Sequence, residues 1–129
     1  MLFEGGGNYK DVNVEGTHLE FSINTFANRE FLLRVNLFTT DSAIVFFDSM
    51  KIYINGNPIN YFINSMDGKE NAVELQIMRK QKYFSYGFKY DHELLKKGDR
   101  ITIVADDFIE SHGKFFSIEP IHFFIKREY

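Results

Sequence analysis

From Leu19 to Ile125 the chain returns again and again to a two-residue rhythm. Leu19, Phe21 and Ile23 alternate with Glu20, Ser22 and Asn24, and Phe31, Leu33, Val35 and Leu37 alternate with Leu32, Arg34, Asn36 and Phe38. Successive side chains of a strand point to opposite faces, so each run predicts a half-buried strand. Residues 43–47 form a short continuous apolar run, as expected of a strand covered on both faces. Met50, Ile52 and Ile54 alternate into Asn55-Gly56-Asn57-Pro58, and Ile59, Tyr61 and Ile63 alternate out of it. An Asn-Gly pair between alternating apolar runs predicts a tight hairpin, because both residues tolerate positive φ.

Residues 67–82 can be read two ways. Asp67-Gly68-Lys69-Glu70 resembles a capping box, and Ala72, Glu74, Leu75, Gln76, Met78, Arg79 and Lys80 all favour helix. At 100° per residue, however, Ala72, Val73, Leu75, Ile77 and Met78 scatter around the cylinder, whereas Val73, Leu75 and Ile77 share one face of a strand. The strand is the expectation. It is paired with Phe84, Tyr86, Phe88 and Tyr90 on the next strand, and Arg79-Lys80-Gln81-Lys82 forms the hairpin loop. Residues 91–97 predict one helical turn, opened by Asp91 and closed by Gly98. Ile101 and Ile103 mark the strand that follows, and 106–114 reads as a polar loop. In the last segment the inward parity changes between Phe116 and Ile118 on one side of Pro120 and Ile121, Phe123 and Ile125 on the other. That change predicts a bulge or sheet crossing at Pro120, on an edge strand.

Together these elements predict an all-β fold, an antiparallel β-sandwich of about nine strands with one short helical turn at 91–97. Phe21, Phe31, Leu33, Val35, Ile52, Leu75, Phe84, Phe88, Ile101 and Ile103 are its expected core. Residues 17–129 form the domain. Residues 1–16, with the triplet Gly5-Gly6-Gly7, are expected to be a flexible lead in which Tyr9, Val12 and Val14 pin one part. At 129 residues the chain has room for a single core.

Composition adds fifteen Phe and seven Tyr without a Trp, an aromatic stock that fills a core with no metal or disulfide staple. The absence of Cys removes disulfides, thiolate metal sites and cysteine nucleophiles together. A net charge of −3 gives no overall pull toward nucleic acid. No apolar run approaches the ~18 residues of a membrane-spanning helix. Met1-Leu2-Phe3 runs straight into Glu4 and the glycines with no leader pattern. An extracytoplasmic setting therefore implies an export signal outside this sequence; a cytoplasmic setting is the alternative.

Catalytic and metal templates do not fit. His92-Glu93-Leu94-Leu95 opens like the zinc-protease helix, but Lys96 stands where the second imidazole is required. Ser85 has Gly87 two residues on, but Tyr83 occupies the first glycine position of a nucleophile elbow. The histidines 18, 92, 112 and 122 share no ligand spacing; only His112 and His122 could meet, across a hairpin. Asp106, Asp107 and Glu110 read as a solvated loop rather than a calcium loop, because Phe108 and Ile109 interrupt the alternation of oxygen ligands. No cofactor, no metal and no catalytic residue is expected. The chemistry that remains is recognition. Arg79, Lys80 and Lys82 beside Tyr83 suit phosphate, sulfate or an acidic partner face, with a charged hairpin tip that resists edge aggregation as the plainer alternative. The outward aromatics Phe38, Phe62, Tyr83 and Phe124 mark a surface if exposed together. The lack of Trp weighs against a sugar platform.

The run Phe31-Leu32-Leu33-Arg34-Val35-Asn36-Leu37, the break Thr39-Thr40-Asp41-Ser42, and the strands ending in Tyr53-Ile54-Asn55-Gly56 resemble the central strands of bacterial immunoglobulin-like sandwich domains. Leu94-Leu95-Lys96-Lys97-Gly98-Asp99-Arg100-Ile101-Thr102-Ile103 is similar to the corner of such domains. The resemblance covers about two-thirds of the chain; it implies a sandwich fold in an exported or surface-attached protein, and carries over no site residues. A non-enzymatic module acting on a protein partner or surface glycan is the leading expectation. An apolar-ligand carrier built as a β-barrel is the second, and a carbohydrate-binding module the third.

Overall fold

Three hairpins turn on the same device. Glu15-Gly16, Asn55-Gly56 and His112-Gly113 each reverse the chain with both residues at positive φ (45° and 80°, 50° and 83°, 52° and 78°). Two-residue turns of this hand match the twist of paired strands, and glycine takes the second position without a Cβ clash. The Asn-Gly hairpin is the one expected from sequence. It pairs Ile52 with Ile59 and Ile54 with Asn57.

The computed structural model describes residues 3–4, 9–26, 30–40, 42–60, 62–63, 72–75, 82–89 and 95–125. Twelve strands lie among them: β1 (Phe3–Glu4), β2 (Tyr9–Val14), β3 (Thr17–Phe26), β4 (Glu30–Thr39), β5 (Ala43–Phe46), β6 (Met50–Ile54), β7 (Asn57–Ile59), β8 (Phe62–Ile63), β9 (Ala72–Leu75), β10 (Lys82–Lys89), β11 (Arg100–Ser111) and β12 (Lys114–Ile125). All pairings are antiparallel. One sheet has the order β2-β3-β4-β10-β8; the other has seven strands, β1-β12-β11-β5-β9, with β6 paired to β11 beside β5 and β7 paired to β6. The fold is thus all-β with two antiparallel sheets, as expected, and the described residues hold twelve strands where about nine were expected. The extra ones are β1 and β2, which lie within the expected N-terminal lead, and the separation of 57–63 into β7 and β8. The one helical element among the described residues is a 3-10 turn at Phe47–Ser49, which separates β5 from β6.

The two sheets close on one hydrophobic core. Leu19, Phe21, Ile23, Leu33, Val35 and Leu37 from the five-stranded sheet meet Val45, Ile52, Ile101, Ile103, Phe108 and Phe123 from the other. Phe108 stands between Phe21 (ring centroids 6.4 Å apart) and Phe47 (5.5 Å, edge to face). All seven expected core residues with described side chains are buried: Phe21, Phe31, Leu33, Val35, Ile52, Ile101 and Ile103. The side chains of Leu75, Phe84 and Phe88 lie outside the described residues. On the backbone, Phe84 is in register with Val35 and Phe88 with Phe31.

Several expectations are corrected. Residues 72–75 are strand, but β9 pairs with β5 in one sheet and β10 pairs with β4 and β8 in the other. The predicted hairpin between them does not form, because alternation tells which face is apolar and not which strand is the neighbour. Residues 106–111 belong to β11 and not to a polar loop. Between Ala105 and Ile109 the register advances four residues on β11 against two on β12, from Ile118 to Phe116. Asp106 and Asp107 occupy this bulge, Asp107 at φ 47°, and Phe108 re-enters the core fully buried. The bulge expected at Pro120 is present: Ile103 and Ala105 face Ile121 and Ile118, leaving one extra residue on β12. Tyr9–Val14 is strand β2, paired along its whole length with β3, and Val12 and Val14 pack against the core. The folded body therefore begins ahead of Gly16. Residues 91–94 of the expected helical turn lie outside the described residues; 95–99 form no helix and turn at Gly98, φ 91°.

Candidate functional site

The outer face of the five-stranded sheet is where polar chemistry gathers. β2 and β3 run in strict register, with Asp11 opposite Glu20 and Asn13 opposite His18. Residues directly opposite share a face, and inward positions here are taken by Val12, Val14, Leu19 and Phe21. Asp11, Asn13, His18 and Glu20 are thereby all turned outward. One ligand atom from each of Asp11, His18 and Glu20 lies within 4.8 Å of the others, with Asp11 exposed and the other two half-buried.

The hydrogen bonds around this trio decide its chemistry. His18 Nδ1 lies 2.8 Å from Asn13 Oδ1. An amide oxygen only accepts, so Nδ1 carries the proton and donates it. His18 Nε2 then faces Asp11 Oδ1 at 3.4 Å. Behind the pair, Asn36 Nδ2 donates to Glu20 Oε1 at 3.2 Å and fixes that carboxylate. The Oδ1 of the same amide is buried with no hydrogen-bond partner among the described residues, an arrangement that costs about 1–3 kcal/mol. In register, the row across the sheet is Asp11, Glu20, Asn36, Tyr83.

A second feature adjoins it. An open groove of about 380 Å³ runs between the edge of β2 and the outer part of β12, lined by Lys10, Asp11, Val12, Glu119, Pro120, Ile121, His122 and Phe124. Phe124 is 37% exposed, and its ring lies 6.0 Å from that of His122, whose Nδ1 hydrogen-bonds the Thr102 hydroxyl at 2.9 Å. Asp11 belongs both to the trio and to the groove rim.

Of the residues singled out from sequence, Arg79 and Lys80 lie outside the described residues. Lys82 and Tyr83 are not at a hairpin tip: they open β10, in register with Leu37 and Asn36. Phe38 is half-buried and Phe124 exposed, while the side chains of Phe62 and Tyr83 lie outside the described residues. His112 sits at the β11–β12 turn and His122 opposite Thr102, eight strand positions beyond Lys114 and about 26 Å along the strand, so they do not meet. Asp106 and Asp107 are split from Glu110 by buried Phe108 and Ile109. Among the described residues, the set of three ligand-bearing side chains that converges is Asp11, His18 and Glu20. It escaped the sequence reading because Asp11 was placed in a loose lead. The signals that find it are His18 and Glu20 at i and i+2 on one strand face, and Glu15-Gly16 as a second two-residue turn.

No family model matches the chain, and no curated protein matches it. Among solved structures it is similar to ycdA of Bacillus subtilis subsp. subtilis str. 168, provisionally described as a lipoprotein, with a TM-score of 0.50 and 13% identity over 90% of this chain. The match covers 38% of that longer chain. At this identity the likeness is one of fold. No helix among the described residues is long and apolar enough to cross a membrane.

Proposed function

We propose that this chain is a non-enzymatic recognition module of a bacterial envelope or secreted protein, an immunoglobulin-like sandwich that binds a protein partner. The observation that carries the reading is the groove between β2 and β12, in which the half-exposed Phe124 is flanked by Lys10, Asp11 and Glu119. An aromatic anchor ringed by both signs of charge is the usual makeup of a protein-binding spot. The similarity to one part of a lipoprotein-like chain supports an envelope setting and a modular role. The cationic run Arg79, Lys80 and Lys82 beside Tyr83 belongs to this reading as a second contact; of it, Lys82 and Tyr83 open β10, in the same sheet as β2. The carrier reading is disfavoured by the packing of Phe21, Phe47 and Phe108, which fill the space where an apolar ligand would sit.

The test is capture of a protein from a solubilised bacterial envelope fraction by the intact chain and by Phe124→Ser. The reading predicts capture that weakens at least tenfold in the variant and declines with added salt, with unchanged melting. Equal capture by both proteins, or turnover of a substrate by the purified chain, contradicts it.

A further inference from the structure

We propose that Asp11, His18 and Glu20 form a binding site for a divalent transition-metal ion of the zinc class. The inference does not depend on the protein-binding groove, and it starts from a conflict of lone pairs. With Nδ1 donating to Asn13 Oδ1, the neutral imidazole of His18 presents the lone pair of Nε2 to the Asp11 carboxylate. Two acceptors do not face each other at 3.4 Å unless a proton or a cation lies between them. Three further facts favour the cation.

The first is spacing. Two ligands held about 2.0–2.1 Å from a tetrahedral ion stand roughly 3.4 Å apart, and His18 Nε2 and Asp11 Oδ1 are 3.4 Å apart, while a Glu20 oxygen lies within 4.8 Å of an Asp11 oxygen and of a His18 ring nitrogen. The second is donor chemistry. One imidazole nitrogen with two carboxylates is a set suited to zinc-class ions; calcium and magnesium prefer oxygen alone. The third is the outer shell. A ligating histidine ordinarily donates its other ring N–H to a fixed acceptor, here Asn13, and a ligating carboxylate is itself hydrogen-bonded, here by Asn36. Both supports come from strands that the register places beside the trio, Asn13 opposite His18 and Asn36 opposite Glu20. Three protein ligands leave a fourth position open to water or to a donor from a bound molecule.

The test is calorimetric titration of Zn²⁺ alone into the full chain, with the melting temperature followed in parallel. One Zn²⁺ per chain is expected, bound at least tenfold more tightly than Ca²⁺ or Mg²⁺, with melting raised by several degrees at saturation. His18→Ala and Asp11→Asn should each weaken Zn²⁺ at least tenfold while melting as the parent does without metal. Asn13→Ala should weaken it by roughly tenfold through the lost outer-shell bond. Visible absorption from Co²⁺ added to the parent chain reads tetrahedral coordination independently of any variant. Absence of Zn²⁺ binding overturns the proposal. So does Zn²⁺ binding that His18→Ala leaves unchanged, or Ca²⁺ bound as tightly as Zn²⁺.

Discussion

Two hairpins of this molecule bend on the same kind of Xaa-Gly turn and arrange their polar side chains in opposite ways. β2 and β3 keep one register from Tyr9 opposite Ser22 to Val14 opposite Thr17. Every outward residue therefore has an outward neighbour, and Asp11, Asn13, His18 and Glu20 form one patch. β11 and β12 lose register twice, near Pro120 and at Asp106-Asp107. Those slips bring Phe108 into the core but separate Asp106 and Asp107 from Glu110, and the strand length keeps His112 from His122. A regular ladder concentrates side-chain chemistry, and a bulged one trades that concentration for packing.

The largest expected effect lies in the bulged hairpin. Phe108→Ala removes a fully buried ring that touches Phe21 and Phe47, and should cost about 3–5 kcal/mol, read as a lower urea midpoint with an unchanged slope. A loss under about 1 kcal/mol would mean that the bulge serves no packing purpose.

The two turns separate stability from chemistry. Gly16→Val and Gly113→Val each force a β-branched residue to positive φ, 80° and 78°, at a cost of about 1–3 kcal/mol in thermal unfolding. At Gly113 an added Cβ meets nothing within 4 Å, so the cost there is conformational. Only Gly16→Val should also weaken Zn²⁺, because only that turn aligns Asp11 with His18. Equal weakening by both would show that the ligands do not depend on the local register.

How much of this was legible in the sequence follows the same division. Where alternation runs unbroken, as in Leu19 to Ile23, Phe31 to Leu37 and Ile101 to Ile103, the buried face could be read directly, and Asn55-Gly56 named its own hairpin. The Pro120 bulge was legible because it inverts parity. The bulge at Asp106-Asp107 was not: it inserts an even number of residues, so the parity of Ile103, Ala105 and Ile109 is preserved while two exposed acids imitate a loop. Strand partners were illegible for a different reason. β9 and β10 each carry a clean period, but period fixes a face and leaves the neighbouring strand open. The metal-ligating trio needed partner and face at once, through a strand whose glycine-rich approach suggested a tether.

The smallest effect should come from the dispersed carboxylates. Asp106→Asn with Asp107→Asn alters two exposed side chains and should change stability by less than about 0.5 kcal/mol. Calcium should leave the melting temperature of parent and variant alike. A calcium-dependent rise in the parent that the double variant loses would place a site in the bulged hairpin after all.

The most direct measurement is a zinc titration followed through the imidazole nitrogen resonances of all four histidines in the intact chain. The account predicts that Nε2 of His18 shifts, saturating at one ion per chain, while His92, His112 and His122 keep their positions. A shift at His112 or His122 in place of His18, or no shift at any of the four, would contradict it.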